Sequence, residues 1–506
     1  MLAKVYTGAT VGLQALPITV EVDVASQGLP SFSIVGLADR AVEEAKERVR
    51  AALRNSNIDF PPKRITVNLA PADLPKEGPS FDLAIALGII IASGQLDTDL
   101  SDAIIVGELS LDGGLRHTSG VLALALLAKR EGKKRIFVPL ENAQEASVVD
   151  GVEVFGFAAI SEVFLYLSKQ KEVSPLPYQS FNLVDDAQYE YDFSQIRGQE
   201  QSKRALEIAA AGSHNVLMKG PPGSGKTLLA RAFPSILPPL SLDEALEVTQ
   251  IYSITGNLTK DKPLITTRPF RSPHHTASFV GMIGGGGSIR PGEVSMAHRG
   301  VLFLDELPEF PRQVLESLRQ PLEDKKVTIS RASGTLVFPA QFMFVCALNP
   351  CPCGFLGSPK KNCVCMPGQI SRYQKKISGP LLDRIDIHLD VPAVEVEKLT
   401  DDIISEDSLT IRKRVKKARE IQLRRFKGSK IITNAEMSNE QIKKYCVITK
   451  DAVDLLKMAI STMNLSARSY HRVLKLSRTI ADLAESEKIL TEHIAEALQY
   501  RVKDSL

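Results

Sequence analysis

Eight consecutive residues constrain this chain more than any others: Gly220, Pro221, Pro222, Gly223, Ser224, Gly225, Lys226 and Thr227, a gapless G-x-x-x-x-G-K-[ST] pattern. An apolar, strand-like run, Asn215-Val216-Leu217-Met218, precedes it, and Leu228-Leu229-Ala230-Arg231-Ala232-Phe233 follows with helical character. Strand, glycine loop and helix in that order make a phosphate cradle. Glycines let backbone N–H groups close around an anion, and the helix N-terminus adds a favourable dipole. All eight residues are therefore candidate nucleotide contacts. Lys226 is expected to reach the β- and γ-phosphates and Thr227 to ligate magnesium, so the implied cofactors are ATP and Mg2+.

Further along, the buried-strand run Val301-Leu302-Phe303-Leu304 ends in two carboxylates, Asp305 and Glu306. That pattern puts both at the carboxyl edge of a parallel sheet, beside the phosphate loop. Asp305 is expected to hold the magnesium shell. Glu306, one residue on and pointing elsewhere, is the candidate to polarise a water for attack on the γ-phosphate.

At 506 residues the chain exceeds one core and implies roughly two to four domains. Its longest apolar run, Leu83 to Ser93, is too short to cross a bilayer and reads as a buried helix. The opening Met-Leu-Ala-Lys-Val-Tyr has no signal-peptide pattern, so a cytoplasmic location without a membrane partner is expected. A net charge of +3 does not by itself predict nucleic-acid binding, but residues 411–430 hold ten basic residues against one acid. Such a run is either a solvated helix face or a contact with a phosphate backbone. Of six cysteines, Cys351, Cys353, Cys363 and Cys365 crowd into two C-x-C pairs. They are read as four thiolates for zinc, the alternative being a reduced, metal-free loop. Cys346 and Cys446 are expected to be small buried hydrophobes.

Residues 1–168 alternate strand runs with helices, as in a compact α+β domain. Val42, Ala45, Val49, Ala52 and Leu53 define one face of a helix within residues 38–53. Residues 169–192 read as a linker, 193–396 as the core that carries the phosphate loop, and 397–506 as helical. Lys326–Arg331 and Gly334–Phe338 flank Ala332-Ser333 in a hairpin signature, and Gly284–Ser288 forms a glycine run able to move. The adjacent His274 and His275 are read as polar loop residues, since no third ligand stands near them.

The core resembles the AAA+ ATPases, and within them the magnesium-chelatase-like group. That resemblance implies a sensor-1 role for Asn349, which ends the strand after the carboxylates. In Gly379-Pro380-Leu381-Leu382-Asp383-Arg384 it implies that Arg384 is an arginine finger, and in Ser466-Ala467-Arg468 that Arg468 is sensor 2. A finger supplied in trans completes each site only between subunits, so a homo-oligomeric, hexameric ring is implied. The two inserted loops resemble those of helicase-like relatives, where they line a pore, which makes Arg331 and Lys326 candidate polymer contacts.

The N-terminal part resembles the Lon protease domain, of ribosomal S5 domain 2-like fold, through Pro75-Lys76-Glu77-Gly78-Pro79-Ser80 and Gly107–Leu115. Ser80 stands at the serine position. However, Arg116-His117-Thr118-Ser119 follows the second motif without a lysine, and arginine cannot act as the base. Proteolysis is therefore not expected, and the domain is read as serving assembly or nucleic-acid contact.

Lon-like domain, AAA+ core, helical lid and paired C-x-C loop together resemble the bacterial ComM/YifB family. The fold class expected is accordingly α/β multidomain. The family resemblance implies a DNA helicase that promotes branch migration on single-stranded or branched DNA during transformation or recombination, with recombination proteins as possible further partners. Two other readings stay open, an ATP-dependent protease or unfoldase and a magnesium-chelatase-type metal-insertion motor.

Overall fold

The computed structural model describes residues 2–36, 39–74, 76, 78–179, 189–259, 262–286, 289–331, 334–358, 361–393, 405–429, 431–463 and 466–501. The Arg331 side chain, Ala332-Ser333, Gly287-Ser288, Pro75, Glu77, Ala38, Lys430, most of the expected linker's second half and the start of the expected lid lie outside the described residues. The chain is a mixed α/β, multidomain protein that divides into two compact units, residues 1–183 with 241–266, and residues 184–240 with 267–506.

In the first unit, strands Leu2–Val11 and Gln14–Val24 pair antiparallel, from Leu2 opposite Asp23 to Val11 opposite Gln14. Arg64–Ala70 adds an antiparallel neighbour and Ser31–Val35 a parallel edge. Val20, Val22 and Val24 alternate into the core as a half-buried sheet requires. Helix Arg40–Asn55 covers it with the face read from periodicity: Val42, Ala45, Val49, Ala52 and Leu53 are all buried. Its first turn is capped by Asp39, whose Oδ1 accepts from the Val42 N–H at 2.8 Å. Leu83 to Ser93 falls on the buried helix Asp82–Ala92 and its cap, and no described helix is long and apolar enough to cross a membrane. The two Lon-like motifs meet, with Gly107 N donating to Ser80 O and Leu83 N to Gly107 O, both at 3.0 Å.

Residues 241–266, which the sequence reading left inside the ATPase segment, cluster with this first unit. Helix Leu242–Thr255 starts at a Ser241/Glu244 capping box, buries Ala245, Val248 and Ile251, and packs on helix Val121–Arg130. Gln250 Nε2 donates to Leu13 O at 2.7 Å.

The second unit is built on five parallel strands, β1 (Val216–Lys219), β2 (Phe270–Arg271), β3 (Val301–Leu304), β4 (Met343–Leu348) and β5 (Ile387–Asp390), in the order β2-β3-β4-β1-β5. β3 and β4 are buried throughout, as a sheet covered on both faces demands. Val216 faces Val345 on one side and Ile387 on the other. The order sets the carboxyl ends of β1, β3 and β4 side by side, which is where ligands of open parallel sheets bind. Helices Ser408–Arg425, Asn439–Tyr445, Lys450–Thr462, Ala467–Leu483 and Thr491–Gln499 follow, and their apolar faces join the hydrophobic core of the sheet.

The described part of the basic run, residues 411–429, falls on one helix and its C-terminal turn. Helix Ser408–Arg425 buries Ile411, Val415 and Ala418, and this apolar stripe carries several arginines inward. Arg414 Nε bonds Glu207 at 2.5 Å and its Nη2 bonds Glu406 at 2.8 Å. Arg419 donates to Ala210 O at 2.7 Å and Ser213 Oγ at 2.6 Å, Arg425 Nη1 to Asp482 at 2.7 Å, and Arg412 is buried. Lys413, Lys416, Lys417, Arg424 and Lys427 remain exposed. The run therefore divides between inward-held arginines and an exposed basic face.

Candidate nucleotide site

The loop leaving β1 has backbone geometry open to glycine and little else. Gly223 and Gly225 take φ of 74° and 88°, and a Cβ on Gly220 would lie 2.2 Å from Val391 O. The loop delivers Lys226 to the head of helix Lys226–Ala232, where its Nζ donates to Gly220 O at 2.8 Å and Pro221 O at 2.9 Å and reaches Asn349 Oδ1 at 3.3 Å. Burial pushes the Lys226 pKa down, opposed by the charges of Asp305 and Glu306. Asn349, just past β4, therefore stands against the lysine.

Thr227 Oγ1 donates to Asp305 Oδ2 at 2.7 Å, which brings a hydroxyl and a carboxylate into one magnesium-sized corner. Asp305 Oδ1 accepts from Glu306 N at 2.9 Å. Glu306 has φ of 51°, in the left-handed region that a non-glycine residue adopts rarely. Lys226, Thr227, Asp305, Glu306 and Asn349 thus form one constellation, a donor set that fits a phosphate chain with its magnesium.

Arg384 and Arg468 are not part of it. Arg384 precedes β5, and its carbonyl accepts from Nδ2 of Asn215, the residue that precedes β1, at 2.8 Å. Both strands run parallel, so Arg384 sits at the amino edge of the sheet. The phosphate loop leaves the opposite edge, about 13 Å away across four residues of β1. Arg384 pairs with Glu323 and donates from Nη1 to Pro380 O at 2.6 Å. Its buried Nε has no acceptor among the described residues. The Arg384 hydrogen bond holds the Glu323 carboxyl below its ordinary range. Arg468 Nη1 lies 3.9 Å from Asp383, so it shares that edge.

His275, read from the sequence as a loop residue, has its Nδ1 4.0 Å from Glu306 Oε2. Its ring packs on His274, with centroids 4.0 Å apart, and meets Phe310 edge-on. The signal lay in register: β2 pairs parallel with β3, with Arg271 opposite Leu302, so His275 and Glu306 each come four residues after a paired position. At 4.0 Å the imidazole is beyond direct hydrogen-bond reach of the carboxylate and interacts with it by charge when protonated. His275→Ala is expected to lower kcat for ATP roughly 10-fold or more at unchanged KM. Steady-state kinetics check this, and an unaltered kcat would make the contact incidental.

The four cysteines converge. Cys351 Sγ lies 3.4 Å from Cys353 Sγ and 3.6 Å from Cys363 Sγ, Cys353 and Cys363 are 3.6 Å apart, and all four sulfurs fall within 4.8 Å of one another. Thiolates at ~2.3 Å from a tetrahedral zinc are ~3.8 Å apart, so the donor set fits that ion. Backbone N–H groups of Phe355 and Val364 pull the Cys353 thiol down, while the Cys363 and Cys365 thiols beside it are pushed up. Cys346 and Cys446 are buried away from the cluster, as expected.

A family model described as magnesium chelatase, subunit ChlI, matches residues 192–399. Two more, for subunit ChlI of Mg-chelatase and for the ChlI C-terminal region, match residues 20–142 and 405–501. Competence protein ComM of Haemophilus influenzae is 44% identical, with 99% of this chain and 97% of that protein aligned. The chain belongs to the ComM/YifB family. YifB of Salmonella typhimurium is 43% identical over 100% of the chain and 98% of its own length. Lon protease 2 of Bacillus subtilis is 31% identical over 29% of each chain. As a magnesium-chelatase-like ComM/YifB protein it is an AAA+ ATPase, with ATP and Mg2+ the cofactors its family implies.

Proposed function

We propose that this ComM/YifB protein is a hexameric, ATP- and magnesium-dependent ring motor that moves on single-stranded or branched DNA. Its work would be branch migration during integration of single strands in natural transformation or homologous recombination, in the cytoplasm. In this reading Gly220–Thr227 hold the phosphates, Thr227 and Asp305 the magnesium, and Glu306 polarises the attacking water. Asn349 reads the γ-phosphate, and Cys351, Cys353, Cys363 and Cys365 hold zinc. Residues 1–168 form a Lon-like, S5-fold domain without proteolytic activity and 169–192 a linker. Residues 193–396 form the AAA+ core and 397–506 its helical lid.

The observation that carries the reading is the position of Arg384 and Arg468. Both stand at the sheet edge opposite their own phosphate loop, out of reach of their own site, which favours a role for a permanently charged guanidinium at a neighbour's. Such a site favours a ring, and a ring has a pore. Strands Lys326–Arg331 and Gly334–Pro339 form an antiparallel hairpin, which supports a pore-loop role with Lys326 as a backbone contact. The DNA assignment is drawn from the competence relative.

The test is ATP turnover with and without DNA, together with unwinding of forked and three-way junctions. DNA-stimulated turnover and ATP-dependent junction opening are expected. Turnover indifferent to DNA would sink the motor reading. Casein degradation abolished by Ser80→Ala would replace it with a protease, and stimulation by a porphyrin-loaded partner with a metal-insertion motor.

A further inference from the structure

We propose that the four-cysteine loop is a positioning element of the nucleotide site: metal held by its thiolates fixes both Asn349 and the Pro222 turn of the phosphate loop, so that metal and nucleotide strengthen each other's binding. The inference rests on the reading of Cys351, Cys353, Cys363 and Cys365 as a zinc site and extends it to what that site does.

The connection is short. Cys351 is two residues beyond Asn349 and fully buried. The turn it opens closes with Gly354 N donating to Cys351 O at 2.9 Å. Gly354 has φ of 82°, and a Cβ there would lie 2.5 Å from Cδ and 2.6 Å from Cγ of Pro222, and 3.8 Å from Cγ of Asn349. The Cys351–Gly354 turn is therefore pressed against a residue of the phosphate loop and against the side chain that touches Lys226. Glycine at 354 is what lets the turn approach the Pro222 ring so closely. From the other side, Gln374 Nε2 reaches Pro350 O at 3.4 Å, and Tyr373 is buried beside Asn349 and Pro350.

Apolar packing does little to hold the far arm of this loop. Val364 is 84% exposed and Met366 72% exposed, so Cys363 and Cys365 stand on a segment that turns its hydrophobic side chains outward. A segment without a core of its own is typically ordered by a metal, whose binding energy then becomes ordering energy. Binding of a phosphate chain selects one placement of Pro222 and Asn349, and the metal selects the same placement. By linkage, whatever factor the metal adds to nucleotide affinity, the nucleotide must add to metal affinity.

The experiment uses full-length protein whose zinc content has been measured, about one ion per chain being expected. Nucleotide affinity is titrated with a fluorescent ATP analogue before zinc removal, after it, and after zinc is restored. Zinc affinity is titrated against a competing chelator with and without excess magnesium-ATP. Nucleotide affinity is expected to fall at least ~5-fold on stripping and recover on reloading, and zinc affinity to rise by the same factor with ATP. That rise should vanish in Lys226→Ala. Gly354→Ala, which strains the turn at its φ of 82° and crowds the Pro222 ring while keeping all four cysteines, is expected to bind nucleotide as weakly as the stripped protein, with its zinc content measured alongside.

The outcomes separate. Protein that never holds zinc overturns the metal site itself. Zinc present, with nucleotide affinity and chelator competition independent of each other, leaves the site standing and overturns the coupling, as does Gly354→Ala with unchanged nucleotide affinity. Because that variant needs no metal removal, unfolding of stripped protein would not shelter the proposal.

Discussion

Glu306→Gln is expected to lower ATP turnover by about 10²- to 10⁴-fold while leaving nucleotide affinity within a few-fold of the parent. The amide is isosteric with the carboxylate, so the left-handed turn at residue 306 and the Glu306 N–H bond to Asp305 are preserved. What it loses is the capacity to take a proton from water. Lys226 and the Thr227–Asp305 contact, which hold phosphate and magnesium in the proposed site, do not depend on residue 306. The variant should therefore bind ATP, keep it, and hold DNA in a gel in a long-lived complex. Single-turnover hydrolysis and an equilibrium nucleotide titration separate the two effects. Residual turnover within a few-fold of the parent would remove Glu306 from the chemistry, and with it the reason for the His275 contact.

What the sequence made legible here was local or bound to a single strand end. The phosphate loop needs only its own glycines. Asp305 and Glu306 follow from a hydrophobic run that stops, and Asn349 from the end of the next strand. Helix Arg40–Asn55 declared its buried face through period alone. The features it concealed depend on pairing between distant segments. The His275–Glu306 contact exists because β2 lies beside β3, and the packing of Gly354 on Pro222 because β4 lies beside β1. Neither neighbour relation can be read from one strand. Charge was ambiguous for a related reason. A run of basic residues shows how many charges there are but not which carbonyls and carboxylates stand opposite. Helix Ser408–Arg425 sends Arg414, Arg419 and Arg425 into partners drawn from residues 207–213, 406 and 482. Residues 241–266 lie between two parts of the second unit in sequence yet cluster with the first, a placement no local pattern declares.

Arg384→Ala is expected to reduce turnover by about 10³-fold or more with nucleotide affinity largely retained, the loss associated with removing an arginine that meets the transferring phosphoryl group. Structural damage is an inadequate alternative cause. The pair it makes with Glu323 is partly solvated, with side-chain exposures of 15% and 57%, and such a pair is worth roughly 1 kcal/mol or less. The decisive experiment mixes two inactive proteins. Lys226→Ala has a ruined phosphate loop but an intact Arg384, and Arg384→Ala the reverse. In a ring assembled at random from equal amounts, about a quarter of interfaces join an intact loop to an intact arginine. ATPase activity should therefore reappear on mixing, rising toward about a quarter of the parent value if sites work independently. A guanidinium at the amino edge serves a neighbour's phosphate loop only through such an interface. If both variants still assemble and mixing restores nothing, Arg384 acts only within its own subunit, as the partner of Glu323, and the argument for a ring built on it fails.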